Sequence, residues 1–333
     1  MYSESLLFIE DWKKKANTSE QFTLLDDTMS ITCDIVAKCL FSADVTKDLA
    51  RVRESVGVLI DLAMPLMTNP LVMPKLIPTK LNRDLNSAMG FIDNVLFKII
   101  RERRNEKEAV NRDLLDLLMY TKDEETGHQM TDVQLKDEAV ILFLAGHETS
   151  ANALAFAVYM IEKHQKVKGK LLEEIKGVFN GDDLDLSLVP KMQYLQQVID
   201  EVLRMFPPAW VVGRRSLGPD TLSGVDIEAK QNVLVSAFSV HRDKRFWENP
   251  DEFDPDRFTP EKKKTYHNYQ YFPFGGGPRM CIGNNFAYLE MKILLSLIYK
   301  NFELEVLTET LELNPRLTLR PKDGIQLRLK NKA

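Results

Sequence analysis

Apolar residues in the N-terminal half of the chain recur at helical spacing and predict a run of helices before any strand. Leu6, Leu7, Phe8, Ile9 and Trp12 make one amphipathic face, and Leu24, Leu25, Met29, Ile31, Ile35, Val36, Leu40 and Phe41 make a second. Pro65, Pro70, Pro74 and Pro78 then punctuate a loop between two helices, the second running from about Leu81 to Glu106. That loop carries Leu66, Met67, Leu71, Val72, Met73, Leu76 and Ile77. Such a stretch serves either as a lid or membrane-facing lip over a substrate channel, or as a loop packed on its own domain. The box Thr131-Asp132-Val133-Gln134 opens a long helix reaching about Lys163, which at helical rise spans roughly 50 Å. Further helices are predicted over about Val167 to Phe179 and Met192 to Phe206, the latter stopped by Pro207-Pro208.

Strand signals cluster between Val211 and Val240, with a hairpin turn at Ser223-Gly224. A last helix follows Cys281 to about Tyr299, and Leu317-Thr318-Leu319 with Ile325-Gln326-Leu327 suggests a closing hairpin. No repeat, low-complexity tract or linker interrupts the pattern. The expectation is a single domain over residues 1–333, mostly α with small β sheets (α+β).

Composition narrows the classes. With 333 residues, 44% hydrophobic and 28% charged, the chain has ample material for a large core. A net charge of -5 argues against nucleic-acid binding through overall charge, and no zinc-finger or RNA-binding motif is present. Cys33, Cys39 and Cys281 are too few for a disulfide framework, which points to a reducing compartment and a cytoplasmic location. The most apolar run, Ala139 to Ile161, is broken by Gly146, His147, Glu148 and Thr149, which fits a buried helix with a notch better than a membrane span. Charges at Glu4, Glu10, Asp11 and Lys13 to Lys15 exclude a signal peptide over residues 1 to 20.

Three constellations carry chemistry. Phe274-Gly275-Gly276-Gly277-Pro278-Arg279-Met280-Cys281-Ile282-Gly283 presents one cysteine on a glycine-rich loop at the start of an apolar helix. Unpaired N–H groups and the helix dipole there favour a thiolate, and glycines let backbone lie against a flat macrocycle. Arg279 is spaced to reach a haem propionate. The loop reads as a haem-thiolate ligand site, against the plainer reading of a turn with a structural cysteine. In the long helix, Ala145-Gly146-His147-Glu148-Thr149 puts a residue without a side chain, an acid and an alcohol within one turn. Gly146 costs about 1 kcal/mol there against alanine, so either a ligand or a close helix crossing must need the space. Thr149 either opens the helix to hold a water or bonds its own backbone, and His147 reads as structural. Glu201 and Arg204 sit at i and i+3 on a mostly buried helix, where a third charge such as Arg257 in Pro255-Asp256-Arg257-Phe258 is expected.

The pattern Phe274-x-x-Gly277-x-Arg279-x-Cys281-x-Gly283, with the other two motifs in order, resembles the cytochrome P-450 family of haem-thiolate monooxygenases. The resemblance implies that fold, a haem b cofactor (iron protoporphyrin IX) with Cys281 as metal ligand, and cofactor contacts from Phe274, Gly277, Arg279, Gly283, Ala145 and Gly146. It implies a proton relay through Glu148 and Thr149, and a folding role for Glu201, Arg204 and Arg257, where Asp256 replaces the family's usual glutamate. Arg214 matches a propionate-contacting position, with Arg215 beside it as competitor. Trp210, Val211, Val212, Phe143, Leu144, Ala145 and Leu317 resemble substrate-lining positions. Lysines 163, 166, 168, 170 and 262 to 264 either dock an acidic donor or are solvated surface. The implied partners are dioxygen, an apolar substrate such as a fatty acid or other lipid, and a separate ferredoxin or flavoprotein donor, because no reductase sequence follows the family motifs. The family's N-terminal hairpin and first helices find no match, so the chain is expected to be an N-terminally truncated fragment. An endoplasmic-reticulum anchor would lie in the missing part. Two rivals remain: a peroxide-driven hydroxylase or isomerase on the same scaffold, and a non-catalytic remnant unable to retain haem.

Overall fold

The computed structural model describes residues 1–18, 20–42, 49–68, 77–105 and 113–332. The helices are α1 (Tyr2–Thr18), α2 (Leu24–Phe41), α3 (Leu49–Thr68), α4 (Lys80–Arg104), α5 (Leu114–Tyr120), α6 (Asp132–Lys163), α7 (Gln165–Lys176), α8 (Gln193–Met205), the short α9 (Ala237–Val240) and α10 (Pro260–Lys263), and α11 (Asn284–Asn301). The chain divides into two compact units, Met1–Trp12 with Leu25–Ala151, and Lys13–Leu24 with Asn152–Ala333.

In the first unit α1 buries Ser5, Ile9 and Trp12, while Leu6 and Leu7 face solvent. The apolar cluster in the sequence is thus rotated from the true face, which the 4-and-3 spacing of Ser5, Ile9 and Trp12 defines. Pro65 lies inside α3, not in the connecting loop, and Leu66 and Met67 are helical with it. The predicted loop residues Leu71, Val72, Met73 and Leu76 lie outside the described residues, and Ile77 is exposed. Thr79 caps α4 by accepting from Asn82 N–H, and Asp113 caps α5, a short helix absent from the sequence reading, by accepting from Asp116 N–H.

The predicted box opens α6: Gln134 N–H donates to Thr131 Oγ1 at 3.3 Å and Thr131 N–H donates to Gln134 Oε1 at 2.9 Å. Over residues 135 to 147 the helix buries one face through Leu135, Ala139, Phe143 and His147, each one turn apart. From Ala151 to Ile161 every residue is buried. Among the described residues α6 is the helix long and apolar enough to cross a membrane, and most of that stretch is enclosed by protein.

The second unit holds the sheets β1 (Phe22–Thr23), β2 (Phe179–Asn180), β3 (Asp183–Leu184), β4 (Val212–Arg215), β5 (Asp220–Leu222), β6 (Val225–Ile227), β7 (Asn232–Val235), β8 (Phe302–Val306), β9 (Leu313–Pro315), β10 (Leu319–Pro321) and β11 (Gln326–Asn331). The hairpin β5–β6 turns at Ser223 and Gly224, both with positive φ (50° and 81°), as a two-residue primed turn requires. The C-terminal runs do not pair with each other as expected. Leu319 pairs with Pro315 in β9, whereas Leu327 sits in a central strand opposite Phe22 and Val306. Short β-prone runs carry no register of their own; burial of Leu327 between β1 and β8, and of Leu329 beside β8, decides it.

Helix α8 is the unusual element. Every residue from Val198 to Pro208 is buried, and three of them are Asp200, Glu201 and Arg204. Charges out of water must be paired and hydrogen-bonded. Arg204 Nε and Nη2 donate to the two Glu201 carboxylate oxygens at 2.6 and 2.9 Å, Nη1 donates to His241 O at 2.8 Å, and Nη2 also reaches Glu252 O at 3.2 Å. Glu201 Oε1 further accepts Asp254 N–H at 2.9 Å and lies 3.4 Å from Arg257 Nε, the expected third charge. Arg257 in turn donates to Glu248 O and Asn249 O at 2.5 and 2.9 Å. Burial pushes the Glu201 carboxyl up, and the Arg204 guanidinium pulls it back. Glu201→Ala strands a fully buried guanidinium, and a loss of about 3–5 kcal/mol in unfolding free energy is expected, read from the urea midpoint.

Candidate active site

The cysteine loop is built in the second unit. Gly275 N–H donates to Phe272 O at 3.0 Å. A 3₁₀ turn, Gly277–Arg279, with Pro278 inside it, then delivers Met280 and Cys281. Cys281 N–H closes the loop on Phe274 O at 2.9 Å. Gly283 is the N-cap of α11 and makes no side-chain cap bond, so Cys281 stands two residues ahead of the N-cap and three ahead of Asn284, the first helical residue. The glycines have separate reasons. Gly275 and Gly277 adopt φ of +72° and +69°, the left-handed region that favours glycine, with nothing near a would-be Cβ. A Cβ on Gly276 would meet the Tyr269 ring at 2.7 Å, and one on Gly283 would make ordinary 3.8 Å contact with Cys281 Sγ. Loop conformation therefore accounts for Gly275 and Gly277 without a macrocycle.

Around the thiol the surface is apolar and open. Cys281 is exposed, flanked by Met280 at 51% and Ile282 at 85% exposure, with Arg279 exposed beside them. A bare ion such as zinc takes three or four protein ligands, and no group of three His, Cys, Asp or Glu side chains converges among the described residues. One exposed thiol in an apolar setting with a neighbouring guanidinium fits a metal that brings its own planar ligand set, such as the haem that the family resemblance implies. The Phe274 ring packs 5.2 Å from the Tyr288 ring of α11.

Arg214 and Arg215 end β4. Arg215 Nε donates to Lys230 O at 2.9 Å, while Arg214 Nη1 donates to Gly213 O on its own strand at 2.9 Å. Two of the apolar segments meet: Trp210 Nε1 donates to Arg316 O at 3.0 Å and Leu319 N–H to Pro208 O at 2.9 Å. Asn152 Nδ2 donates to Thr318 Oγ1 at 3.1 Å, leaving Leu317 exposed at the tip. Of the seven lysines, Lys168 pairs with Glu162, Lys170 with Asp256 and Lys263 with Asp200, so three of those charges are partnered within the chain.

The helical notch lies in the first unit. A Cβ on Gly146 would stand 3.2 Å from Val36 Cγ2 of α2, and the Thr32 hydroxyl of α2 lies 3.0 Å from His147 O. The glycine thus serves a close helix crossing, the plainer of the two sequence readings. Thr149 Oγ1 donates to Ala145 O at 2.7 Å, and α6 continues unbroken across it, so the expected opening of the helix does not occur. Thr149 is half-buried on a face shared with the exposed Ile141 and Ala145, and Glu148 is buried. Phe143 is core, stacked at 6.3 Å on His147, and Leu144 with Phe143 lines an apolar cavity of about 20 Å³ between α3, α4 and α6.

The predicted site residues therefore fall into two sets, Ala145, Gly146, Glu148 and Thr149 on α6, and Phe274, Gly277, Arg279, Cys281, Gly283 and Arg214 in the second unit. Sequence reasoning missed Asp200, Tyr271 and Tyr288, joined behind the cysteine loop, and His241, whose Nε2 accepts Phe272 N–H at 3.0 Å. Asp200 could have been found as a carboxylate inside the apolar run Val198, Ile199, Val202.

The family model described as Cytochrome P450 matches residues 1–329, and the chain belongs to that family. It is 30% identical over 291 residues to Cyclooctatin synthase of Streptomyces melanosporofaciens, covering 87% of this chain and 63% of that protein. It is 31% identical over 280 residues to Cytochrome P450 3A13 of Mus musculus, covering 81% and 56%. The solved cytochrome P450DA heme domain superposes with a TM-score of 0.91 at 26% identity, covering all of this chain and 72% of that one. The chain thus spans between 56% and 63% of the length of these curated relatives.

Burial lowers the His147 pKa to about 4 from its ordinary 6.5. Between those values the unfolded chain binds the extra proton, so stability declines as pH falls through that window and levels off below it. His147→Gln is expected to remove on the order of 1–2 kcal/mol of that decline, read by comparing urea midpoints near neutral pH with those at about pH 5.

Proposed function

We propose that the chain is the haem-thiolate part of a monooxygenase that places one oxygen atom from dioxygen into an apolar organic substrate. The observation that carries this reading is the exposed Cys281 on its closed loop ahead of α11, in the family's motif. Cys281 would hold the iron of haem b as thiolate, with Met280 and Ile282 against the macrocycle's apolar face. Arg279 and Arg214 would pair with its propionates through charge-assisted hydrogen bonds. Bound haem would supply the activation of dioxygen, which a thiolate ligand such as Cys281 favours.

The chain's own residues manage protons and substrate. Thr149 keeps its hydroxyl proton on Ala145 O, so its lone pairs can accept from a water on the Ile141 and Ala145 face. Glu148, buried one residue earlier, is the acid from which that water would be resupplied. Trp210, Val211, Val212 and Leu317 belong to apolar segments pinned to one another by the Trp210 indole N–H and one main-chain bond, which suits a fatty acid or other lipid. Electrons come from a separate ferredoxin or flavoprotein, and the location is cytoplasmic.

Reduction under carbon monoxide tests the reading. The haem-loaded protein is expected to show a Soret band at the thiolate position, and Cys281→Ala to lose it. Absence of haem absorbance in the wild type overturns the proposal, and peroxide-driven turnover without oxygen uptake reassigns it to the peroxide-using class. Thr149→Ala is expected to keep the band while product formed per electron consumed falls several-fold; unchanged coupling removes Thr149 from the proton path.

A further inference from the structure

Asp200 precedes Glu201 on α8, yet its carboxylate enters a different network. It is fully buried. Oδ1 accepts from Tyr288 Oη at 2.6 Å and from Gln196 Nε2 at 3.3 Å, and the Tyr271 hydroxyl lies 3.0 Å from both Oδ1 and the Asp200 carbonyl oxygen. Oδ2 accepts from Lys263 Nζ of α10 at 3.0 Å. Burial, followed by the Asp200 charge, pushes both tyrosine hydroxyls well above their ordinary range, so they stay protonated as donors. The ring of Tyr288 packs against Phe274, and Phe274 O accepts the Cys281 N–H. Tyr271 lies three residues before Phe274 on the strand of chain that enters the loop. A single residue thus holds both ends of the cysteine loop: the approach through Tyr271, by carboxylate and carbonyl together, and the exit helix through Tyr288, by the carboxylate.

We propose that Asp200, balanced by Lys263, is a positioning residue that sets the electron-donor strength of the Cys281 loop through Tyr288 and Phe274. This rests on the haem-thiolate reading above. The field of a buried charge is weakly screened, and here the negative partner is enclosed whereas the positive one is 43% exposed at its side chain. Removing the carboxylate leaves an uncompensated cation behind the loop, which favours the reduced, more negative state. Removing the ammonium leaves the anion less compensated, with the Lys292 charge still acting on it, which disfavours it. The two changes therefore act in opposite directions, whereas loosening of the loop by either substitution acts in one.

The test is a spectroelectrochemical titration of the haem-loaded wild type, Asp200→Asn, Lys263→Gln and the double variant, with the ferrous carbon monoxide spectrum recorded for each. The midpoint potential is expected to shift up in Asp200→Asn, to shift down by less in Lys263→Gln, and to return towards wild type in the double variant. Tyr288→Phe keeps the ring on Phe274, removes one donor from the carboxylate, and is expected to shift the potential in the direction of Lys263→Gln. Lys263 is surface-accessible, so its variant keeps the test decisive should Asp200→Asn fail to fold. Potentials that are unchanged, or that move the same way in both single variants, overturn the inference while leaving the haem reading intact. A wild type without the thiolate Soret band overturns both.

Discussion

The bidentate pair between Glu201 and Arg204, without solvent on either side chain, is the interaction on which the rest of the second unit depends. Two charges taken from water gain little by themselves, because desolvation offsets most of their attraction. What the pair does is impose geometry. Arg204 has donors left over, and these must find acceptors, so the carbonyls of His241 and Glu252 are drawn to it; Glu201 takes Asp254 N–H and faces the Arg257 charge at 3.4 Å. The segment from 241 to 257 has little regular structure, and polar satisfaction, not a ladder of strand bonds, holds it against α8.

That constraint extends to the candidate site. His241 gives its carbonyl to Arg204 and its ring nitrogen Nε2 to Phe272 N–H, and Phe272 O takes Gly275 N–H at the start of the cysteine loop. Burial holds the His241 pKa down at about 3, which keeps that nitrogen an acceptor. Beside this path runs the second one, from Asp200 to the two tyrosines. Neighbouring acids on one helix thus serve two networks, the first anchoring the segment around 241 to 257 and the second bracketing the loop that carries Cys281.

The first unit solves its packing differently. Where α2 crosses α6, the contact is made by taking a side chain away at Gly146 and by lending a hydroxyl from Thr32 to His147 O. Steric closeness here substitutes for charge. The face of α6 bearing Ile141, Ala145 and Thr149 is not part of that crossing, where Gly146 meets Val36, and the buried side of the helix carries Phe143 and His147.

Helix positions with a strong local signal were legible in the sequence. The capping box at Thr131, the prolines after Phe206 and the primed turn at Ser223-Gly224 are local instructions, and each appears in the structure within a residue or two. The order and spacing of the cysteine loop, the α6 notch and the Glu201 pair were equally legible, and they sufficed for the family. Tertiary structure decided the rest. Which strand partners β11, which face of α1 is buried, why Gly146 is glycine, and that Asp200 gathers Tyr271, Tyr288 and Lys263 all depend on residues distant along the chain. Local sequence encodes backbone preference within a few residues, whereas the partner of a buried charge or a closely crossing helix is fixed only when the fold brings it there.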